Sequence, residues 1–235
     1  NEQQSYLGSY SGGGNVSPET QEKIDAEVRK LVDEGYETAR RILDCDCGRG
    51  ERRAQFKARG ARVTGLTADA TAAEAAREVL DEVVAGDLQT LELPFEDGAF
   101  DCIVCADVLA RLKDPAPFLA RLPRVLAGGG LLLATAPNVQ YYETVLMLAD
   151  GQWEYGGSGV MAREHLRFFT AYSLVQLLTG AGFQVQRCGV LSGAPPEAFP
   201  RDADGCVRLG RYTIGPLSDD KYKAYLAEYY ILFAR

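Results

Sequence analysis

The sequence predicts an α/β fold: a seven-stranded, mostly parallel sheet with helices on both faces, an antiparallel last strand and an N-terminal helical extension. Three observations carry this. Apolar runs of strand length alternate with stretches that open on helix caps, and right-handed crossovers between such strands bring their carboxyl ends to one edge. The run Ile42-Leu-Asp-Cys-Asp-Cys-Gly-Arg-Gly50 ends in an acid and opens into a glycine-bearing turn. There Gly48 and Gly50 let backbone approach a ligand, and a helix starting near Arg49 aims its N–H groups at it. Finally, 235 residues at 46% apolar composition suit one α/β domain with additions and a sizeable core, not two full domains.

Taken in order, residues 1–16 are rich in Gly, Ser, Tyr and Asn without periodicity and read as a flexible arm. Ser17-Pro18-Glu19 is a helix start, with Ser as N-cap and Pro at the first helical position. Ile24, Val28, Leu31, Val32, Tyr36 and Ala39 then recur at helical spacing, so one amphipathic helix runs to about Arg40. The domain proper spans 41–235. After the glycine loop come a helix and a second strand over 61–67, followed by Thr71 and Glu74 as a capping box. A third strand covers 83–88, a turn 94–101, and a continuous apolar fourth strand 102–109, as a sheet buried on both faces requires. Asp114-Pro115 caps another helix, and Ala127-Gly-Gly-Gly130 turns into a fifth strand over 131–138. Thr170 caps a helix from Ser173 to Thr179, ended by Gly180 and Gly182. Phe183 to Val190 is the sixth strand and Tyr229 to Ala234 the antiparallel last one; the Pro- and Gly-rich stretch 191–227 between them reads as a loop insertion bordering the substrate side.

Composition narrows the function. A formal charge of −8 argues against a phosphate backbone as partner, because nucleic-acid affinity comes from Lys and Arg releasing counterions. No apolar run approaches the roughly 18–20 residues of a membrane span, and no charged-then-apolar leader opens the chain, so a soluble cytoplasmic protein is expected. Four of the six cysteines fall in apolar, strand-like runs. Cys102 and Cys105 have zinc-like spacing, but a strand points them to opposite faces and no second pair completes a site. They read as buried small hydrophobes, and no metal is expected.

A dinucleotide fingerprint needs a third glycine where Arg53 stands. Asp44, Gly48 and Gly50 resemble instead the first motif of class I S-adenosylmethionine-dependent methyltransferases, Asp-Leu-Gly-Cys-Gly-x-Gly, with Asp46 in place of its first glycine. Asp87, then Pro94-Phe-Glu-Asp-Gly-Ala-Phe-Asp101 and the strand after it, resemble the next motifs of that family. Asp107-Val-Leu-Ala-Arg-Leu112 stands where the family has Asp-Val-Leu-Glu-His-Leu, and 127–138 is similar to its Gly-Gly turn, fifth strand and Pro-Asn. Residues 151–170 resemble a subgroup that accompanies glycosyltransferases of surface polysaccharides.

The resemblance implies a three-layer Rossmann-like domain over 41–235 that takes S-adenosyl-L-methionine. The glycine loop and Asp44 would hold the methionine end, Thr67 or Asp69 the ribose, and Asp87 with Leu88 the adenine; Asp46 and Cys105 complete the residues expected at the cofactor. Thr67 occupies the ribose acid's position, and Asp69 points the same way if the strand continues, or else serves as a turn or helix-cap acid. His165, the only histidine, suits a base at neutral pH or, beside Phe168 and Phe169, a packed loop residue. Two functions follow: O-methylation of a small-molecule or glycan acceptor, or a degenerate methyltransferase fold serving as a non-catalytic interaction module. Separately, Val16 to Leu43 resembles a late helix of membrane-anchored ATP-dependent zinc proteases, without any of their catalytic motifs.

Overall fold

The computed structural model describes residues 40–58 and 60–235, together with Glu22, Lys23 and Ala26. The amphipathic helix expected over 17–40 and the protease-like stretch 16–43 fall almost wholly outside the described residues.

The main sheet is built from β1 (Arg41–Cys45), β2 (Arg62–Thr67), β3 (Glu82–Ala85), β4 (Phe100–Ala106), β5 (Leu126–Pro137), β6 (Val185–Gly193) and β9 (Ala227–Ala234), with β7 (Val207–Leu209) and β8 (Tyr212–Ile214) forming a separate hairpin. The seven strands lie in the order β3-β2-β1-β4-β5-β9-β6. β1 pairs in parallel with both β2 and β4, while β9 runs antiparallel between β5 and β6. The chain therefore winds outward from β1 to β3, then crosses back to start β4 on β1's other side. That reversal opens a crevice at the carboxyl ends of β1 and β4, where open α/β sheets bind ligands.

Strand alternation divides the core. Leu43, Cys45, Ile103, Cys105, Leu132 and Ala134 face one apolar cluster with the helix α4 (Pro115–Val125) and the helix α6 (Ala171–Gly180). Ile42, Val63, Cys102, Val104 and Leu133 face another with Phe56 and Ala76, from α1 (Ala54–Lys57) and α2 (Ala70–Arg77). Cys102 and Cys105 thus lie on opposite faces, as their spacing in a strand requires.

The elements depart from the expectation in instructive places. β3 stops at Ala85, because Asp87 Oδ1 accepts a hydrogen bond from Gln89 N at 2.9 Å and turns the chain, dropping Leu88 into the core. β4 stops at Ala106, where Asp107 turns to φ 58 and starts α3 (Val108–Arg111), a single helical turn rather than continued strand. The glycine stretch 127–130 belongs to β5 rather than to a turn before it. Its irregularity appears as φ +80 at Gly129 and a register shift opposite Phe100 and Cys102. The stretch 191–227 holds the β7–β8 hairpin and the helix α7 (Asp219–Leu226), not loop alone. Between β3 and β4 the irregular chain is held by two arginines of α4: Arg121 donates to the carbonyls of Leu88 and Leu91, and Arg124 to those of Leu93 and Phe95.

Candidate active site

Asp46 and Asp107 follow the strands on either side of the crevice, and both have left-handed backbone, with φ 66 and 58; they are the two non-glycine residues with positive φ among the described residues. Such a conformation costs an L-residue about 1 kcal/mol or more, least for Asp and Asn, and clusters where a structure places side chains for a purpose. Arg111 of α3 joins them: its Nη2 lies 2.5 Å from Asp46 Oδ2, and its Nε donates to the Asp107 carbonyl at 3.2 Å. An ion pair therefore spans the crevice from the β1 loop to the β4 loop.

Asp44 is turned inward. Its Oδ2 lies 3.1 Å from Arg53 Nε, and both side chains are about 95% buried. Arg53, which in the sequence is legible only as a missing glycine, thus balances the strand-end acid. Gly48, at φ +55, would place a Cβ with nothing within 4 Å among the described residues, so loop backbone is uncovered by them there. A Cβ on Gly50 would come within 2.8 Å of Val79 and 2.9 Å of Leu80, so that glycine serves packing instead.

On the β2–β3 side, Thr67 is buried and its Oγ1 accepts from Asp69 N at 3.3 Å. Asp69 is the N-cap of α2, accepting from Thr71 N at 2.8 Å and Ala72 N at 3.1 Å. The capping box expected from Thr71 and Glu74 is not the one used; Asp69, two residues earlier, is better placed to reach the first free N–H groups. Asp69 and Asp87 nevertheless remain exposed at neighbouring strand ends. Cys105 stands apart from these residues. It is fully buried, and its thiol meets that of Cys45 in the core. Burial also raises the pKa of the Cys45 thiol and pushes those of Cys47 and Cys102 up to about 12, which leaves the three as inert packing groups.

His165 arrives from a distant segment. Residues 160–169 fold across α3, with Leu166 N and Arg167 N both donating to the Ala110 carbonyl. This brings His165 Nε2 to 3.1 Å from Asp107 Oδ2, while Nδ1 lies 2.9 Å from the Val160 carbonyl oxygen. The ring is 2% exposed. Burial opposes its charging, but the hydrogen bond and charge of Asp107 outweigh that and raise its pKa above the usual histidine value. Both nitrogens face acceptors, so with Nδ1 donating to Val160 a positive charge belongs between Nε2 and Asp107. Asp107 is fixed from behind as well, its backbone N donating to Thr135 Oγ1 at 3.0 Å.

An open, mostly parallel sheet with an antiparallel strand in its second half, and acids at the ends of its central strands, defines a nucleotide-type binding domain of the methyltransferase architecture. Residues 43–134 match the family model described as a methyltransferase domain. A demethylmenaquinone methyltransferase of Thermus thermophilus is 37% identical over 178 residues, covering 67% of this chain and 81% of that protein. A probable S-adenosylmethionine-dependent methyltransferase of Mycobacterium tuberculosis is 30% identical over 157 residues, 66% of this chain but 53% of its own length, so the chain spans about half of that relative. A ubiquinone biosynthesis O-methyltransferase of Aeromonas salmonicida is 25% identical over 163 residues, 66% of this chain and 68% of that one. Among solved structures, a SAM-dependent methyltransferase from Archaeoglobus fulgidus superposes with TM-score 0.62 at 16% identity, covering 91% of this chain and 93% of that one. The chain belongs to the class I S-adenosylmethionine-dependent methyltransferase family.

The family's cofactor is S-adenosyl-L-methionine, and the residues present fit it. Backbone open to a ligand at Gly48 and exposed carboxylates at Asp69 and Asp87 offer the acceptors that a ribose and an adenine amino group require. The methionine end would meet a more charged wall, formed by the Asp46–Arg111 pair.

Proposed function

We propose that the chain transfers a methyl group from S-adenosyl-L-methionine to an oxygen of a small-molecule acceptor, a glycan included. The observation that carries this is the pairing of the sole imidazole with Asp107 at the end of β4, beside the crevice at the switch point. The O-methyltransferase name of one relative is in keeping with it.

When bound, the cofactor supplies a methyl group on a positively charged sulfur. The chain's residues align the acceptor with it, keep water out and take the acceptor's proton. In this reading Asp69 and Asp87 hold the ribose and adenine, Leu88 packs beneath them, and backbone around Gly48 meets the methionine end. Asp44, tied to Arg53, acts by fixing the loop, and Thr67 by fixing Asp69. His165 with Asp107 handles the proton.

Calorimetric titration with S-adenosylmethionine and S-adenosylhomocysteine tests the reading. Both should bind, and Asp69→Asn, which keeps a capping oxygen but loses the charge, should weaken both. His165→Gln should leave cofactor affinity within about twofold and lower turnover by roughly 10²- to 10⁴-fold. The Asp46–Arg111 pair across the crevice favours one alternative, a methyltransferase fold retained as a non-catalytic binding module. Absence of heat with either ligand would decide for that alternative.

A further inference from the structure

Glu164 reaches the same place as His165 from the segment that crosses α3. One ligand atom from each of Asp107, Glu164 and His165 lies within 4.8 Å of the other two. Two independent features there point to something that binds among them. Among the described residues Asp107 Oδ1 and Glu164 Oε1 are shut off from water and have no hydrogen-bond partner, and the Asp107 side chain is 2% exposed. Leaving buried carboxylate oxygens without a partner costs free energy that a structure normally recovers from a donor or a cation.

The second feature is the orientation of the ring. The Val160 carbonyl can only accept, so Nδ1 carries a proton, and in the neutral ring the lone pair sits on Nε2, 3.1 Å from an Asp107 oxygen. A lone pair facing a carboxylate is repulsive unless a positive charge lies between them. That separation also suits two atoms sharing one ion: ligands about 2.0–2.2 Å from a metal stand roughly 3.0–3.5 Å apart. A histidine whose second N–H is fixed on a backbone carbonyl is, moreover, the usual outer-shell arrangement of a metal ligand.

We propose that Asp107, Glu164 and His165 form a binding site for a divalent cation of borderline hardness, of the zinc or manganese type. One imidazole nitrogen and two carboxylate oxygens match that preference, and the two carboxylate charges balance the ion's two. Calcium and magnesium favour all-oxygen shells and fit this donor set less well. Three protein ligands leave coordination positions open for an oxygen from outside the chain. The inference rests on the methyl-transfer reading and deepens it: with Nδ1 held by Val160 and Nε2 on the ion, His165 would hold the ion rather than take the proton itself, and an ion there lowers the pKa of a hydroxyl bound to it.

The test uses the full 235-residue chain without a histidine tag, stripped with chelator, so that His165 is the only imidazole. Titration with Mn²⁺ and with Zn²⁺ should each show one site. Mn²⁺ is the discriminating ion, because the six cysteines have little affinity for it. Glu164→Gln and Asp107→Asn should each weaken Mn²⁺ binding by about tenfold or more. Glu164, only partly buried, gives the variant least able to disturb folding, and near-ultraviolet circular dichroism checks both. With ¹⁵N-labelled histidine, Zn²⁺ should shift the Nε2 resonance while Nδ1 keeps its proton. Absence of Mn²⁺ binding, with both ring nitrogens protonated, would overturn the proposal in favour of a buried imidazolium–carboxylate pair. Binding undiminished in both variants would overturn it too, by placing the ion elsewhere. Because the metal titration contains no S-adenosylmethionine, its failure leaves the cofactor titration standing as a separate test of methyl transfer.

Discussion

At the amino ends of β1 and β4, Arg41 Nη2 sits 2.6 Å from Asp101 Oδ1, with the arginine side chain 46% exposed. Backbone N–H groups of Arg40 and Arg41 donate to the same carboxylate, so one acid fastens two neighbouring strands in contact with water. At the carboxyl ends of the same strands the charges are arranged differently. Asp44 and Arg53 are paired out of water, Asp46 and Arg111 bridge two loops, and Asp107 meets His165 with its other oxygen unpartnered among the described residues. Two acids there also take left-handed backbone, which costs any L-residue free energy. The amino end uses charge where water screens it, whereas the carboxyl end holds it buried and strained. Such a concentration of unfavourable terms at one edge of a sheet marks the edge that meets a ligand.

The largest expected effect comes from the buried pair. Arg53→Met leaves Asp44 buried without its cation and should lower stability by about 3–5 kcal/mol in urea unfolding. Arg41→Met, at the wet end, should cost less than about 1 kcal/mol. Removing both members, as Asp44→Leu with Arg53→Met, should recover much of the loss, since a well-packed apolar pair can replace a buried ion pair. Equal losses from the two arginine variants would erase the distinction between the ends.

A smaller effect is expected at Asp46. Asp46→Gly relieves the φ 66 conformation and removes the Asp46–Arg111 pair, which is about a quarter exposed at both side chains. Relief of backbone strain, about 1 kcal/mol, should at least offset the lost ion pair, so stability stays level or rises. If the pair blocks the methionine end of the crevice, the same variant should tighten S-adenosylhomocysteine by about fivefold, the equivalent of one such pair. Weaker binding would show that Asp46 itself contacts the ligand.

What can be read from the sequence follows the range of the interactions. The succession of strands, the glycine loop and the antiparallel last strand are written in short apolar runs and their punctuation, and the family motifs appear in the expected order. Thr170 as a cap is legible for the same reason, with its partner Ser173 three residues away. The interactions that give the site its character join residues far apart in sequence: Asp46 to Arg111, and Asp107 to His165 across 58 positions. Arg53 and Arg111 can be seen there only as departures from a pattern, not as partners of particular acids. Glu164 carries no signal, because a surface-type residue beside a histidine looks like any loop acid until the fold closes over it. Cys105 is legible as a residue of the fourth strand, whereas its burial against Cys45 appears only once the strands pair.

The smallest effect concerns pH at the wet end. Burial by itself would raise the pKa of Asp101, but the Arg41 guanidinium and the N–H groups of Arg40 and Arg41 outweigh it and hold the carboxyl below its usual range. A folded-state pKa lower than the unfolded value of about 3.9 means that the carboxylate stabilises the fold above that pH. The contribution fades as pH falls from there through the lower folded value. Wild type should therefore lose stability faster than Asp101→Asn between about pH 4 and 2, with the two curves parallel above about pH 5. Partial exposure of the pair keeps the difference below about 1 kcal/mol. Parallel curves down to pH 2 would mean that Asp101 is as well stabilised in the unfolded chain, and that the strands' amino ends are held by backbone pairing alone.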